Sequence, residues 1–395
     1  MVTRPDSRDA PHLFGLGLKE MLADEITMVL RQIRAHAIQA ARLSGRTTSR
    51  ELVAKGIDFG SITAFPDGSV DTSGVQGVDP DLRVRPFFAQ GGTVSIREFI
   101  VGALHAEMGL DAADPDLAQA SAGGRVVTPS GMVLDGTVDH IDSPPVANPG
   151  LDPNGDVPGG EVPTALVDYL EFYLLNYFKP ATYQQNGFTR EGLRRFAAIG
   201  CNSCHIPDLQ IDHDRRVADV ETRYDPQRGI FNGLFATATT LFHSVDDLTG
   251  FPPLKQPNLN PFVVKNILTD FKRHDLGPNF YERNWDGTIQ KEFMTRPLWG
   301  IGNKVVYGHD GRSITLTEVI LRHGGEAQES RDAFAELNAE KQAAILAYLN
   351  SLVLFPPDDT ASNLDPGNPS TPLFPQFGHG SIKLTVLFND PTDKE

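Results

Sequence analysis

A mainly α-helical fold with long connecting loops is predicted for this chain, on three observations. Apolar residues recur at helical spacing in Ser95–Met108, Thr189–Ile199 and Glu340–Leu352. The chain carries 37 glycines and 29 prolines, above average usage, so much of the remainder is turn and loop. At 395 residues, 40% apolar and 22% charged, it can bury a sizeable core and exceeds the length that one compact unit needs.

Charge and hydropathy exclude several function classes. A formal net charge of -16 repels phosphate backbones and anionic lipid heads, so nucleic acid is not an expected partner. The most apolar stretch, Ala165–Phe178, is interrupted by Asp168 and Glu171 and is shorter than the ~20 residues of a membrane span. The first residues, MVTRPDSRDAPHLFG, mix charges of both signs and lack the apolar run of a secretion signal. No internal repeat, phosphate-binding glycine loop or Ser-His-Asp arrangement is present in the sequence.

Taken in order, the N-terminal half offers the helix Ser95–Met108, on which His105 and Met108 share a face. SPPVANPG and then LDPNGDVPGGEV mark a boundary near residue 160. Within it Asp152, Asn154, Asp156 and Glu161 offer hard oxygen ligands in a glycine-rich loop, a candidate calcium site. It is not an EF-hand, because Pro163 stands where a bidentate glutamate is required.

The two cysteines of the chain fall in Cys201-Asn202-Ser203-Cys204-His205, the CxxCH pattern of c-type haem attachment. Two thiols at this spacing reach the two vinyl groups of one haem edge as thioethers, and the adjacent imidazole binds iron from below. Cys201 and Cys204 are therefore the expected tethers and His205 the expected proximal ligand. A structural zinc site would need two further cysteines or histidines at matching spacing. A dithiol redox pair would need a thioredoxin-like βαβ context, which the flanking residues do not offer.

The flanks fit a cytochrome c-like haem domain. Thr189–Ile199 places Leu193, Phe196 and Ala197 on one helix face leading into the motif, with Gly192 four residues before Phe196. A glycine and aromatic pair lets such a first helix cross closely over the last, since a residue without Cβ permits near approach. Glu340–Leu352, with Ile345, Leu346, Leu349 and Leu352 in a stripe and Tyr348 near the crossing, is the expected last helix. Beyond it, Pro356–Gln376 reads as an extended tail, followed by a strand-like Gly380–Asp390.

Between these helices the chain reads RHDLGPN (Arg273–Asn279), RPLWGIG (Arg296–Gly302), YGHDGRSITLTEVI (Tyr307–Ile320) and RHGGEAQESRDAFAEL (Arg322–Leu337). The N-terminal half contributes HLFGLGLKEM (His12–Met21), Gly56–Phe87 and SIREFIVGALHAEMG (Ser95–Gly109). Together these segments resemble the bacterial di-haem oxidoreductases, a peroxidase-type family related to the di-haem cytochrome c peroxidases. The resemblance covers most of residues 12–354. It implies two haem domains, with residues 1–160 the remainder of an N-terminal one, 161–355 a cytochrome c-like domain and 356–395 a tail. Family members carry two CxxCH motifs and this chain has one, so the expectation is an N-terminally truncated chain that retains the second. A natural mono-haem descendant is the alternative. The resemblance also implies export to the periplasm, an electron donor such as a small redox protein, and peroxide as the oxidant.

In the related peroxidases the C-terminal haem transfers electrons to a catalytic N-terminal one. Its distal ligand there is a methionine before HDG, and this sequence has Gly308 at that point. The candidates left are His309 in the HDG loop and Met294, the one methionine after the motif, with His274 and His379 behind them. An open position, or Tyr307, completes the alternatives. Arg312 is a candidate partner for a haem propionate. Trp299 and Trp285 are candidates for an electron relay or for core packing. His12 and His105 would border the missing haem.

Overall fold

The computed structural model describes residue 9 and residues 12–147, 160–177, 181–182, 185–217, 219–224, 238–243, 260–284 and 286–353. The candidate calcium ligands Asp152, Asn154 and Asp156, together with Trp285, His379 and the tail, lie outside the described residues.

Helix α1 (Leu16–Ser44) is entered through Gly15 and left through Gly45, both in the left-handed conformation. Strands β1 (Thr48–Ala54) and β2 (Ile57–Ala64) then pair antiparallel, with Ala54 opposite Ile57, so Lys55 and Gly56 alone turn the chain. Both turn residues have positive φ, 50° and 78°, the two-residue geometry whose twist matches that of the flanking strands. The short β3 (Val70–Asp71) pairs with β2. Leu52, Phe59 and Ile62 face inward from this sheet and meet Leu22, Ile26 and Leu30 of α1. The same core also takes Leu209, Ile211, Val264, Met294 and Trp299 from the C-terminal half.

The expectation of a mainly α fold is corrected here to a mixed one. Among the described residues, one three-stranded and six two-stranded antiparallel sheets lie between the helices. The strands are only two to eight residues long, too short to give a sustained alternating pattern. Their sheets satisfy the backbone of segments that composition marks as loop.

A second core forms from α2 (Ile96–Met108), α3 (Pro115–Ser121), the hairpin of β4 (Arg125–Val127) with β5 (Val133–Asp135), and α4 (Thr164–Asn176). Ser95 caps α2 by accepting from the Glu98 amide. Gly17 lets α1 approach α4, because a Cβ there would collide with the Leu175 carbonyl. Arg97 of α2 is fully buried. Its guanidinium lies 2.8 Å from Asp114, 2.7 Å from Asp168 and 2.9 Å from Glu171. The two acids that interrupt the apolar stretch of α4 are thus the partners of a buried cation.

The third core is the helical one. Helix α5 (Gly187–Ala198) starts with a capping box, in which Asn186 accepts from the Thr189 amide and Thr189 accepts from the Asn186 amide. Helices α6 (Leu316–Arg322), α7 (Gln328–Glu336) and α8 (Ala339–Asn350) close the domain. The expected crossing of α5 and the last helix is present. A Cβ on Gly192 would collide with the Ala344 carbonyl, and the Phe196 and Tyr348 rings lie 5.9 Å apart. The buried face of α5 is Thr189, Gly192 and Phe196, while the expected Leu193 and Ala197 turn outward. The helix is rotated so that the residue without a side chain, not the leucine, sits at the crossing.

Two stability predictions follow from these contacts. Arg97→Ala leaves three carboxylates without their cation, and a loss of about 3–5 kcal/mol is expected in urea denaturation; a loss below 1 kcal/mol would show that the cluster is not coupled. Gly192→Ala forces α5 and α8 apart, with about 1–3 kcal/mol lost to overpacking, and an unchanged melting temperature would contradict the close crossing.

Candidate functional site

Just after helix α5, Gly200, with a φ of 86°, turns the chain into a 3-10 turn, Cys201–Ser203. The turn is held locally: the Ser203 hydroxyl donates to Gly200 O at 2.8 Å and the His205 amide to Cys201 O at 3.1 Å. Both cysteines are free thiols, and Cys201 packs against the third core. Burial pushes the Cys201 thiol up to about 12, so as a free side chain it stays protonated.

The segment after the turn is fixed by the chain around Leu268. Ile267 N donates to Pro207 O at 2.7 Å and Thr269 N to Ile206 O at 3.1 Å. Within this segment Asn266, Leu268 and Phe271 all have φ between 54° and 57°, a left-handed conformation that costs non-glycine residues energy. The carbonyl of Leu268 lies 3.1 Å from His205 Nδ1. A carbonyl only accepts, so Nδ1 carries the hydrogen and Nε2 the lone pair. Burial draws the His205 pKa down to about 4, so the ring is neutral.

Cys204 faces a charged pair. Its sulfur, a carboxylate oxygen of Asp270 and a ring nitrogen of His274 lie within 4.8 Å of one another. His274 Nε2 is 2.8 Å from Asp270 and Nδ1 is 2.7 Å from Glu326, so both ring nitrogens donate to carboxylates. Burial opposes its charge, yet the hydrogen bond to Asp270 and the nearby Cys204 sulfur prevail and raise its pKa to about 11. His274 is thus an imidazolium built into the wall beside the second thiol, with no lone pair for a metal.

The other sequence candidates occupy defined places. His309 is buried, stacks on Phe293 at 3.8 Å and has Nε2 3.0 Å from Glu282. Met294 and Trp299 are buried together in the first core. Tyr307 is buried in the third core and donates its hydroxyl to Lys304 O. Arg312 is largely exposed, 3.5 Å from Asp310. His12 donates from Nε2 to Trp299 O at 3.0 Å, and burial lowers its pKa to about 4. His105 and Met108 are exposed, with His105 2.9 Å from Asp111. Glu161 accepts from the Asp111 amide at 2.7 Å.

One residue of the quoted motifs had no role assigned from sequence, His323 at the end of α6. Its Nδ1 donates to Val319 O at 2.7 Å, and its ring meets Phe280 edge-on at 5.3 Å. The preceding Arg322 grips Asp310 of the HDG loop at 2.7 Å and donates to Ser313 and Asn279 O. Its RHGGEA context carried the signal, but an imidazole at a helix end is more often a cap than a ligand.

A family model described as "Di-haem oxidoreductase, putative peroxidase" matches residues 227–352. That match supports a place for this part of the chain in the family and a general redox role. No curated protein matches the chain. Among solved structures, the hydrazine synthase of Kuenenia stuttgartiensis is similar at 16% identity with a TM-score of 0.29. The aligned region covers 51% of this chain and 60% of that one. Among the described residues no helix is long and apolar enough to cross a membrane.

The His274 contacts make stability depend on pH. Its pKa is raised from 6.5 to about 11 on folding, so its contribution is complete below pH 6.5 and declines as pH rises toward 11. The stability difference between the native chain and His274→Gln, measured by urea denaturation, is expected to be widest below pH 6.5 and to narrow across that window. A difference independent of pH would show that the ring is not held as a cation.

Proposed function

We propose that the chain binds one haem c through thioethers from Cys201 and Cys204, with His205 as proximal iron ligand, and acts as the electron-transferring haem domain of a di-haem peroxidase-like oxidoreductase. The observation that carries this reading is the donor set itself. Two free thiols stand one turn apart beside an imidazole whose Nδ1 is tied to Leu268 O and whose Nε2 makes no hydrogen bond among the described residues. A metal-bound histidine is oriented in this manner, with the outer nitrogen fixed and the inner one open. The family match over residues 227–352 supports the redox role.

When bound, the haem supplies reversible one-electron iron chemistry. The residues of this chain do the rest. Cys201 and Cys204 would anchor the ring edge, Leu268 O keeps His205 in the ligating tautomer, and Cys201 is backed by the third core. His274, held between Asp270 and Glu326, lines the wall beside the Cys204 tether. Haem c attachment implies maturation outside the cytoplasm, and the net charge of -16 suits a basic electron donor.

The presence of one CxxCH in 395 residues favours a second reading, a mono-haem electron carrier with no catalysis of its own. Peroxide separates the two: turnover of an electron donor by peroxide requires the first reading, and reversible reduction without peroxide consumption requires the second.

Expression of the full chain with a c-type maturation system is expected to give a covalently coloured product with a pyridine haemochrome spectrum. Cys201→Ser with Cys204→Ser should abolish covalent haem. A native chain that stays colourless under those conditions would refute the proposal.

A further inference from the structure

We infer that His323 is the second axial ligand of this haem, so that the iron is held between two imidazoles. The inference rests on the haem reading above and names a residue that its motif does not contain.

The tautomer comes first. His323 Nδ1 donates to Val319 O at 2.7 Å, as His205 Nδ1 donates to Leu268 O at 3.1 Å. In both rings the hydrogen is therefore on Nδ1, and Nε2 presents a lone pair that no described residue engages. A carbonyl-fixed Nδ1 with an open Nε2 is the arrangement that orients an imidazole toward a metal.

The second argument is placement. Leu268, whose carbonyl holds His205, belongs to the same core as Leu316 of α6, and Val319, Ile320 and Cys201 pack against that core. Immediately after His323, Gly324 N donates to Leu276 O at 2.9 Å. Glu326 accepts from Asp275 N at 2.9 Å and meets His274, a ring nitrogen of which lies within 4.8 Å of the Cys204 sulfur. A chain of contacts thus runs from the residue before His205 to the third residue after His323.

The other candidates are committed elsewhere. His309 is stacked on Phe293 and set against Glu282, and Met294 is packed among the apolar residues of the first core. Gly308 has no side chain to offer. Arg322, bound to Asp310, Ser313 and Asn279 O, fixes the end of α6 and so acts as a positioning residue for His323. An iron closed on both faces leaves no open position for peroxide, which assigns this haem to electron transfer.

The test uses the full haem-loaded chain and reads spin state and midpoint potential. The native ferric protein is expected to be low-spin without the methionine-to-iron charge-transfer band. His323→Ala should become high-spin and return to low-spin when free imidazole is added; a low-spin spectrum unchanged by the substitution would overturn the assignment. His323→Met, which preserves bulk should the alanine variant fold poorly, should remain low-spin with a raised potential, and an unaltered potential would equally overturn it. His309→Ala and Met294→Ala should leave the spectrum as it is, and loss of the low-spin signal in either would transfer the role. Failure of the haem reading itself is distinguishable, because the native chain would then carry no covalent haem before any variant is compared.

Discussion

The backbone of α5 meets the backbone of α8 at Gly192, and the geometry of the candidate site depends on that contact. Removing one Cβ lets the Ala344 carbonyl occupy the space beside Gly192. The approach brings Phe196 against Tyr348 and fixes the end of α5, from which the cysteine turn springs. The position of both thiols and of His205 is thus inherited from a helix crossing rather than from the loop that carries them. The loop is then clamped from its other side by residues 266–271, whose three left-handed non-glycine residues are tolerated because the surrounding hydrogen bonds over-determine them.

What could be read from the sequence was whatever is local or strongly periodic. The CxxCH motif, the helix leading into it, the last helix and their crossing partners Gly192, Phe196 and Tyr348 were all legible, because each has a spacing with one physical meaning. Ser95 and Gly109 bracket α2 at the predicted boundary, since a cap residue and a left-handed glycine mark helix ends by themselves. The β1–β2 hairpin was missed, although Lys55-Gly56 between two alternating runs is a two-residue turn signal; seven or eight residues of alternation are easily lost within a glycine-rich composition. The facing of α5 was misjudged because hydrophobicity favoured Leu193, while the tertiary contact required glycine. His323 was missed for a different reason. Its ring meets Phe280 and the next residue is held by Leu276 O, both distant in sequence, and no periodicity announces such a meeting.

Charge in this protein is partitioned by depth. The surface carries the acidic excess, and the interior holds compensated groups: Arg97 among Asp114, Asp168 and Glu171, and Arg215 against Glu20 and Asp24. Burial raises the pKa of Glu20, against the opposing pull of Arg215. Such clusters add little net stability compared with an apolar filling, but they penalise every arrangement that separates the partners. For a chain rich in short strands and long loops, that penalty selects one packing from many.

The first core joins Leu22, Ile26 and Leu30 of α1 to Leu209, Ile211, Val264 and Trp299, so the two halves of the polypeptide share one apolar interior. Lys55 adds a polar tie across the same seam, bonded to Asp212 and to the carbonyl of Gln210. Excising the haem-motif half at the proline-rich connection would therefore peel a greasy flank off its own support. Any minimal unit carrying the CxxCH turn needs α1 and its hairpin kept in place, because they cover the apolar side of that half.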